Sequence, residues 1–567
     1  MADYQIIRRG NTWVAQVEAR GRAVLRNPYI NRGTAFTEEQ RGQLDLLGLL
    51  PPEVLSIDDQ LSRVYTRLQE QPSDLDKYTF LNNLFDRNWV LYHRLLRDHL
   101  EELLPIVSNP TVGEAVRKYS QRFLRPLGVF CDIDHSADIV PALLSYGRSA
   151  DDVDLVIVTD SESVLGLGDQ GVGGIAVAVS KMVLYTAVAG IHPVRVLPVV
   201  LDTGSDNAAL VAEPGYLGLR HGRVRGERYD AFISEFVQAV KLVFPNAMIH
   251  WEDFAADTAH RVFYGYRDKA LSYNDDIQGT ATVITAALIN AMRQTGGRLS
   301  DQRIVFHGAG PAAIGAAALI EKLMVAQGTP AEETKRRFWV LNSGGLVTES
   351  SEAREYQQLY ARPDAESTNW VLNKPGVVEL EDVVRYVNPT VVIGRSSVPG
   401  AFSKDVVEHM CATVEHPILL PFSQPAEVSE GSIADLMRWS AGKALVASTV
   451  ASSPIEIDGV LRTFHRAQNV LVFPGVGLGA MAAHPTRISR AAMLKVAQAT
   501  AEFVTDTTLG APLLPATGQL REVAVSVAEA LLRFTVSEGT AQVGLEPGLA
   551  AIHTMQWNPQ YPELELL

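Results

Sequence analysis

The sequence predicts an α/β fold in three parts: a helical N-terminal region followed by two α/β units, the second of them doubly wound. Three observations carry that prediction. Apolar residues between 37 and 119 recur at helical spacing. From Val129 onward, short apolar runs of strand length alternate with helical stretches, which is the rhythm of a mostly parallel sheet. After a helix that starts near Gln278 a second such series begins, and its first strand runs into a glycine turn and a helix start.

In the N-terminal region the helical spacing shows in Leu75, Tyr78, Leu81 and Leu84, and again in Leu96, His99 and Leu103. Its first helix has a capping-box start, Thr37 followed by Gln40, and Gly48-Leu49-Leu50-Pro51-Pro52 ends it. The middle unit reads as strands at Leu155-Val156-Ile157-Val158, 196–201 and Met248-Ile249-His250, with helices at 174–189 and 229–242. Six strands are expected in the second unit, at 304–306, 339–341, 391–393, 418–420, 445–447 and 470–473. The segment 492–532 reads as helix, and 557–567 as Pro-rich and irregular. Domain boundaries follow: 1–125 helical, 126–277 α/β and completed by helices of about 468–535, 278–467 a Rossmann-like unit, and 536–567 a C-terminal extension.

A chain of 567 residues with 47% apolar residues exceeds one core and can fill two or three. A net charge of −15 and a pI near 5.4 supply no basic field for nucleic acid or an anionic membrane, so a small-molecule partner is expected. Cys131 and Cys411 stand far apart, which fits a reducing compartment and two core thiols, with no disulfide framework or thiolate zinc site. The N-terminal residues lack the apolar core of a signal peptide, and no run approaches a membrane span in length, so a cytoplasmic protein is expected.

Arg303 to Gly315 has the order strand, glycine turn, helix start. Gly308 permits the turn, Gly310 lets the backbone approach a pyrophosphate, and Ala313 lets helix and strand pack closely. Alone, such a motif can be no more than a tight connection; within an α/β series it points to a dinucleotide. The next strand ends in Asn342-Ser343, with neither the acid usual for NAD nor a cation for NADP, so both cofactors stay open. Glu252-Asp253 and Asn274-Asp275-Asp276 follow strand-like segments. Converging carboxylates there suit Mg²⁺ or Mn²⁺, while the plain alternative is helix caps and solvated loops. Lys181 interrupts an apolar helix. It either snorkels to solvent or is held inside, where burial would lower its pKa toward that of a useful base.

Together these segments resemble the malic enzyme family, including the malolactic enzymes. The match runs through Arg32-Gly33-Thr34-Ala35-Phe36, Gly48-Leu49-Leu50-Pro51-Pro52, Asn109-Pro110-Thr111-Val112-Gly113, Val158-Thr159-Asp160 and Gly166-Leu167-Gly168-Asp169. It continues through Leu184-Tyr185-Thr186-Ala187, Glu252-Asp253-Phe254, Asn274-Asp275-Asp276-Ile277-Gln278-Gly279-Thr280 and Phe473-Pro474-Gly475. The resemblance implies oxidation of a malate-like 2-hydroxy acid with NAD or NADP, decarboxylation of the product, and a homodimer or homotetramer. It implies metal ligands at Glu252, Asp253 and Asp276, and catalytic residues at Lys181, Asp275 and Ser108. Substrate contacts are implied at Ser163, Leu165, Gln424, Gln468 and Asn469. Cofactor contacts are implied at Gly308, Gly310, Ala313, Ile314, Asn342, Ser343 and Thr280.

Two positions depart from the family. Its Tyr-Thr-Pro-Thr-Val-Gly, in which the tyrosine is the general acid, stands here as Ser108-Asn109-Pro110-Thr111-Val112-Gly113. Its Gly-Glu-Arg, in which the arginine clamps a substrate carboxylate, stands as Ser161-Glu162-Ser163. Gln424 and Gln468 likewise replace asparagines. A hydroxyl cannot replace a bidentate guanidinium, so a substrate related to malate but different at its far end is expected, while an ordinary malic enzyme with another cation in place of the clamp, and a non-catalytic regulatory or assembly protein that keeps the fold, stay open as alternatives. Arg395 and Arg466, near strand ends where the family is usually uncharged, read either as surface arginines or as a new anion contact.

Overall fold

The computed structural model describes residues 4–9, 12–123, 125–148, 150–457 and 459–567. Thr37 caps the helix Glu38–Gln43 with the expected reciprocal box to Gln40, and a series of helices follows, Ile57–Gln69, Asp74–Phe85, Trp89–Asp98, Leu100–Val107 and Thr111–Arg117. This region is not purely helical. Tyr4–Arg9 and Thr12–Val17 form an antiparallel pair, and the tail expected to be irregular adds the strand Glu563–Leu566, parallel to Thr12–Val17. The tail alternates Glu563, Leu564, Glu565, Leu566, but four residues carry little signal until a distant partner supplies the ladder. Tyr561 anchors it, donating to Gln60 Oε1 at 2.7 Å and accepting from Asn88 Nδ2 at 2.9 Å.

The middle unit holds five parallel strands in the order Val129–Asp132, Val196–Asp202, Leu155–Thr159, Met248–Trp251, Ser272–Asn274. Buried on both faces, the three central strands Val196–Asp202, Leu155–Thr159 and Met248–Trp251 read as near-continuous apolar runs. The helix Ile175–Ala189 packs on them and ends at Gly190, whose φ of 69° suits glycine. The apolar run Gly171–Ala189 is long enough to cross a membrane, yet 94% of it is buried inside the protein.

The main sheet of the second unit has six strands, but not the expected six. Phe338–Asn342, Ile304–His307, Val391–Gly394, Ile418–Pro421 and Leu445–Val446 lie parallel in that order, and the short Gly345–Leu346 adds an antiparallel edge. Residues 470–473 are instead a 3-10 turn leading into the helix Phe473–Ala483, with Pro474 in its first turn. Three glycines explain that helix. A Cβ on Gly475 or Gly479 would meet Ala524 O or Ala528 O at 2.6 and 2.9 Å, and one on Gly477 would meet the Tyr185 ring at 2.4 Å. The helix is therefore wedged between Leu520–Glu538 and Ile175–Ala189, an approach that β-branched strand residues could not make. The helix expected over 492–532 is two, Arg490–Glu502 and Leu520–Glu538, because Gly510, Pro512 and Pro515 interrupt it.

The strand order places a switch point between Ile304–His307 and Val391–Gly394, the crevice where doubly wound sheets bind ligands. Of the two thiols, Cys131 is in the core and Cys411 is only half-buried.

Candidate active site

A cleft is lined from both α/β units and from the N-terminal helices; Ser108, Lys181, Glu252, Asp276, Arg395 and Arg466 all face it. Lys181 does not snorkel. Its side chain is 13% exposed, and Nζ pairs with Asp275 Oδ2 and, at 3.0 Å, with Glu252 Oε1, 4.4 Å from the centre of the Phe473 ring. Burial works against the charge, but Asp275 and Glu252 outweigh it and hold the ammonium above the ordinary lysine range. The expected lowering toward a base is thus reversed, because two carboxylates pair with Nζ and outweigh its burial.

Asp275 and Glu252 are themselves fixed from behind. Tyr273 donates its hydroxyl to Asp275 Oδ1 at 2.8 Å, and Asn469 Nδ2 donates to the Asp275 carbonyl at 3.0 Å. His250 Nε2 is 2.9 Å from Glu252 Oε2, and His250 Nδ1 is 2.7 Å from the Tyr185 hydroxyl. An acceptor-only carboxylate puts the proton on Nε2 and leaves Nδ1 to accept from Tyr185. Sequence reading gave none of Tyr185, His250 and Tyr273 a role, although the signal is present. Tyr185 lies four residues after Lys181 on one helix face. His250 and Tyr273 each lie near the end of a strand, two residues before an acid that stands just past it.

Ligand oxygens of Glu252, Asp253 and Asp276 lie within 4.8 Å of one another, and Asp253 Oδ2 is buried without a hydrogen-bond partner. Burial, Glu252 and Asp275 push Asp276 up to about 7, and burial, Glu252 and Asp276 raise Asp253 well above the carboxylate range. An all-oxygen set of mutually repelling carboxylates with an orphaned oxygen fits a hard divalent cation. His250, Glu252 and Asp275 are as close together, but both His250 nitrogens are already engaged. The backbone holds the ligands tightly. Asp253 has a φ of 57°, its N–H donates to Asp276 Oδ2 at 2.8 Å, and its Oδ1 accepts from the Leu165 N–H at 3.2 Å.

Of the residues expected at the substrate, Leu165, Gln424, Gln468 and Asn469 line the cleft, and Ser108 does too. The Ser108 hydroxyl is turned back, donating to the Leu104 carbonyl at 2.6 Å. Ser163 is exposed and does not line the cleft; only its N–H is used nearby, donating to the Asp253 carbonyl at 3.0 Å. Arg395 and Arg466 are not surface arginines. Both line the cleft with partly buried side chains, and burial lowers the pKa of each.

The cofactor turn sits at the switch point. Gly308 has a φ of 114°, and a Cβ there would lie 2.3 Å from the Arg395 carbonyl, whereas one on Gly310 would meet nothing within 4 Å. That open space before the N-terminus of Pro311–Ala326 is the cradle a pyrophosphate needs. Ala313 and Ile314 are buried behind it. Asn342 ends its strand with Oδ1 accepting from the Gly344 N–H at 2.8 Å, next to the exposed Ser343. Thr280 exchanges hydrogen bonds with the Asn469 amide at the cleft wall.

Comparison with known proteins agrees with this arrangement. The family model described as the malic enzyme N-terminal domain matches residues 85–267, and that of the malic enzyme NAD binding domain matches residues 277–536. The chain is 41% identical to NAD-dependent malic enzyme 3 of Bacillus subtilis over 97% of this chain and 98% of that one. It is 38% identical to NAD-dependent malic enzyme 2 of Photobacterium profundum, covering 95% and 96%. A crystal structure of the Entamoeba histolytica malic enzyme shares the fold, with a TM-score of 0.56 at 18% identity over 90% of each chain. On matches that span both α/β units, the chain belongs to the malic enzyme family.

Proposed function

We propose that this chain oxidises a malate-like 2-hydroxy acid with NAD and a divalent metal and decarboxylates the product. The observation that carries the reading is the meeting, in one cleft, of Lys181, three carboxylates at metal-binding spacing and the strand ends of a dinucleotide sheet. The names of the relatives support NAD over NADP. Bound at Glu252, Asp253 and Asp276, Mg²⁺ or Mn²⁺ would polarise the substrate oxygen, and NAD at Gly308, Gly310 and Ala313 would take up the electrons.

The chain's own residues manage the proton. As the substrate hydroxyl gives up its proton to Lys181 Nζ, the ammonium passes one of its own to Asp275 Oδ2, whose position Tyr273 fixes. The Ser108 hydroxyl is committed to Leu104, and none of the described residues lining the cleft is Tyr, His or Cys. Lys181 therefore also returns the proton to the enolic product of CO₂ loss. With Ser108 and Ser163 in place of a phenol and a guanidinium, L-malate is expected to be a poor substrate unless another cation of the cleft replaces the lost clamp.

NAD reduction and CO₂ release, measured with Mn²⁺ on L-malate and a panel of other 2-hydroxy acids, test the reading. The expected result is equal amounts of both products on at least one acid, a Lys181→Met variant slower by roughly 10²–10⁴-fold, and loss of turnover in Asp276→Asn. Turnover of no acid, or full activity in Lys181→Met, overturns it.

A further inference from the structure

The cleft carries groups of both charges. Glu252, Asp253 and Asp276 are its acids, and Arg395, just past the strand Val391–Gly394, and Arg466, in the loop before Asn469, are cations of its lining. Arg466 is clamped between two walls. Its Nε donates to the Thr449 carbonyl at 2.6 Å, and its Nη1 to the Asn109 carbonyl at 3.1 Å, directly beside Ser108. Arg395 is tied by Nη1 to the Phe422 carbonyl at 2.8 Å, and its backbone abuts Gly308. Among the described residues, neither guanidinium lies within ion-pairing distance of a carboxylate. Each thus keeps most of its N–H donors uncommitted while held rigid and partly buried, and such a cation lacks only its anion.

We infer that Arg466, seconded by Arg395, binds the far carboxylate of the substrate in place of the arginine that Ser163 replaces, so that these two residues set the preference for a diacid over an acid with a neutral tail. Three facts converge on this. Ser163, which replaces the family's clamping arginine, is exposed and outside the cleft. Ser108 is small, and its hydroxyl is turned away, so the space beside Arg466 is open to a ligand. Gln424 and Gln468 line the same cleft, and among the described residues their side-chain amides have no hydrogen-bond partner, which leaves both amides to flank the bound carboxylate. The guanidinium fork suits a carboxylate bidentately, and its anchoring to two carbonyls fixes its direction before the ligand arrives.

The substrate's being a 2-hydroxy acid rests on the proposed function, but the binding arm can be read without turnover. The full chain, loaded with Mn²⁺ and without NAD, is titrated calorimetrically with L-malate, 2-hydroxyglutarate, L-lactate and oxalate. Oxalate probes the metal-holding acids alone. Wild type is expected to bind one of the diacids at least tenfold more tightly than L-lactate. Arg466→Gln is expected to erase that preference while oxalate affinity stays within about twofold, and Arg395→Thr to reduce it in part. A wild-type protein without diacid preference overturns the inference even if Arg466→Gln does not fold, and so does a preference that survives in folded Arg466→Gln. Diacid binding that depends on Arg466 in a protein that reduces no NAD would leave this inference standing and the proposed function refuted.

Discussion

The reactive centre depends on residues whose ordinary behaviour is overruled by their neighbours. Lys181 sits in an apolar helix but is held as an ammonium by two carboxylates, each of which is bonded from behind by a tyrosine or a histidine. Asp253 is held in a left-handed conformation that costs a non-glycine residue on the order of 1–3 kcal/mol, offset by its bonds to Leu165 and Asp276. Gly308 is the complementary case, a position where only the absence of a side chain allows the fold. Gly308→Ala would drive a Cβ into the Arg395 backbone at a φ of 114°. A melting curve with an NADH fluorescence titration should show a loss of about 1–3 kcal/mol of stability and cofactor affinity weakened roughly tenfold or more. Unchanged NADH affinity would contradict the assignment of the turn.

At the scale of elements, the helices Ile175–Ala189 and Phe473–Ala483 build one wall of the cleft, the first through Lys181 and the second through Phe473. Their contact runs through Gly477 against the Tyr185 ring, and Tyr185 in turn orients His250 and Glu252. A bulky residue at position 477 therefore displaces a support of the site as well as packing. Gly477→Val is expected to destabilise the protein by about 1–3 kcal/mol and to lower Mn²⁺ affinity, measured by calorimetry, beyond what Gly475→Ala produces on the opposite face. Equal effects of the two substitutions would show that Tyr185 plays no part in holding Glu252.

For the molecule as a whole, the C-terminal tail is a structural member rather than an appendage. Trp557 packs against His93 and His192, which link it to Phe85, Tyr92 and Tyr29, and Glu563–Leu566 completes the small sheet. Both histidines are buried and neutral. Burial pushes His93 down to about 3, and neither of its ring nitrogens has a hydrogen-bond partner. His192 Nδ1 accepts from the Val194 N–H at 3.2 Å, a bond that a second ring proton would break. For His93 the folded pKa lies below the unfolded value of 6.5, so the unfolded chain takes up its proton first. Stability is intact above 6.5 and is lost as pH falls from there toward about 3, at about 2 kcal/mol per such histidine by roughly pH 5. Melting temperatures across that range should fall with pH, and His93→Phe should flatten the slope; an unchanged slope would mean that His93 does not control it.

The sequence by itself determined the local facts: the capping box at Thr37, the strands buried on both faces, the glycine turn at Gly308, and the acids at Glu252, Asp253 and Asp276. Each is written in neighbours a few residues apart, where periodicity and turn chemistry are legible. What lay beyond that range required tertiary structure. The run 470–473 reads as a strand until Gly475, Gly477 and Gly479 meet partners far away in the chain, and the tail reads as irregular until Thr12–Val17 lies beside it. The same limit applied to charge. Whether Lys181 is a base or an ammonium, and whether Arg466 faces water or a cleft, depends on groups between 17 and 357 residues distant. Electrostatics and packing act through space, and one-dimensional spacing records them only when chain neighbours are also neighbours in the fold.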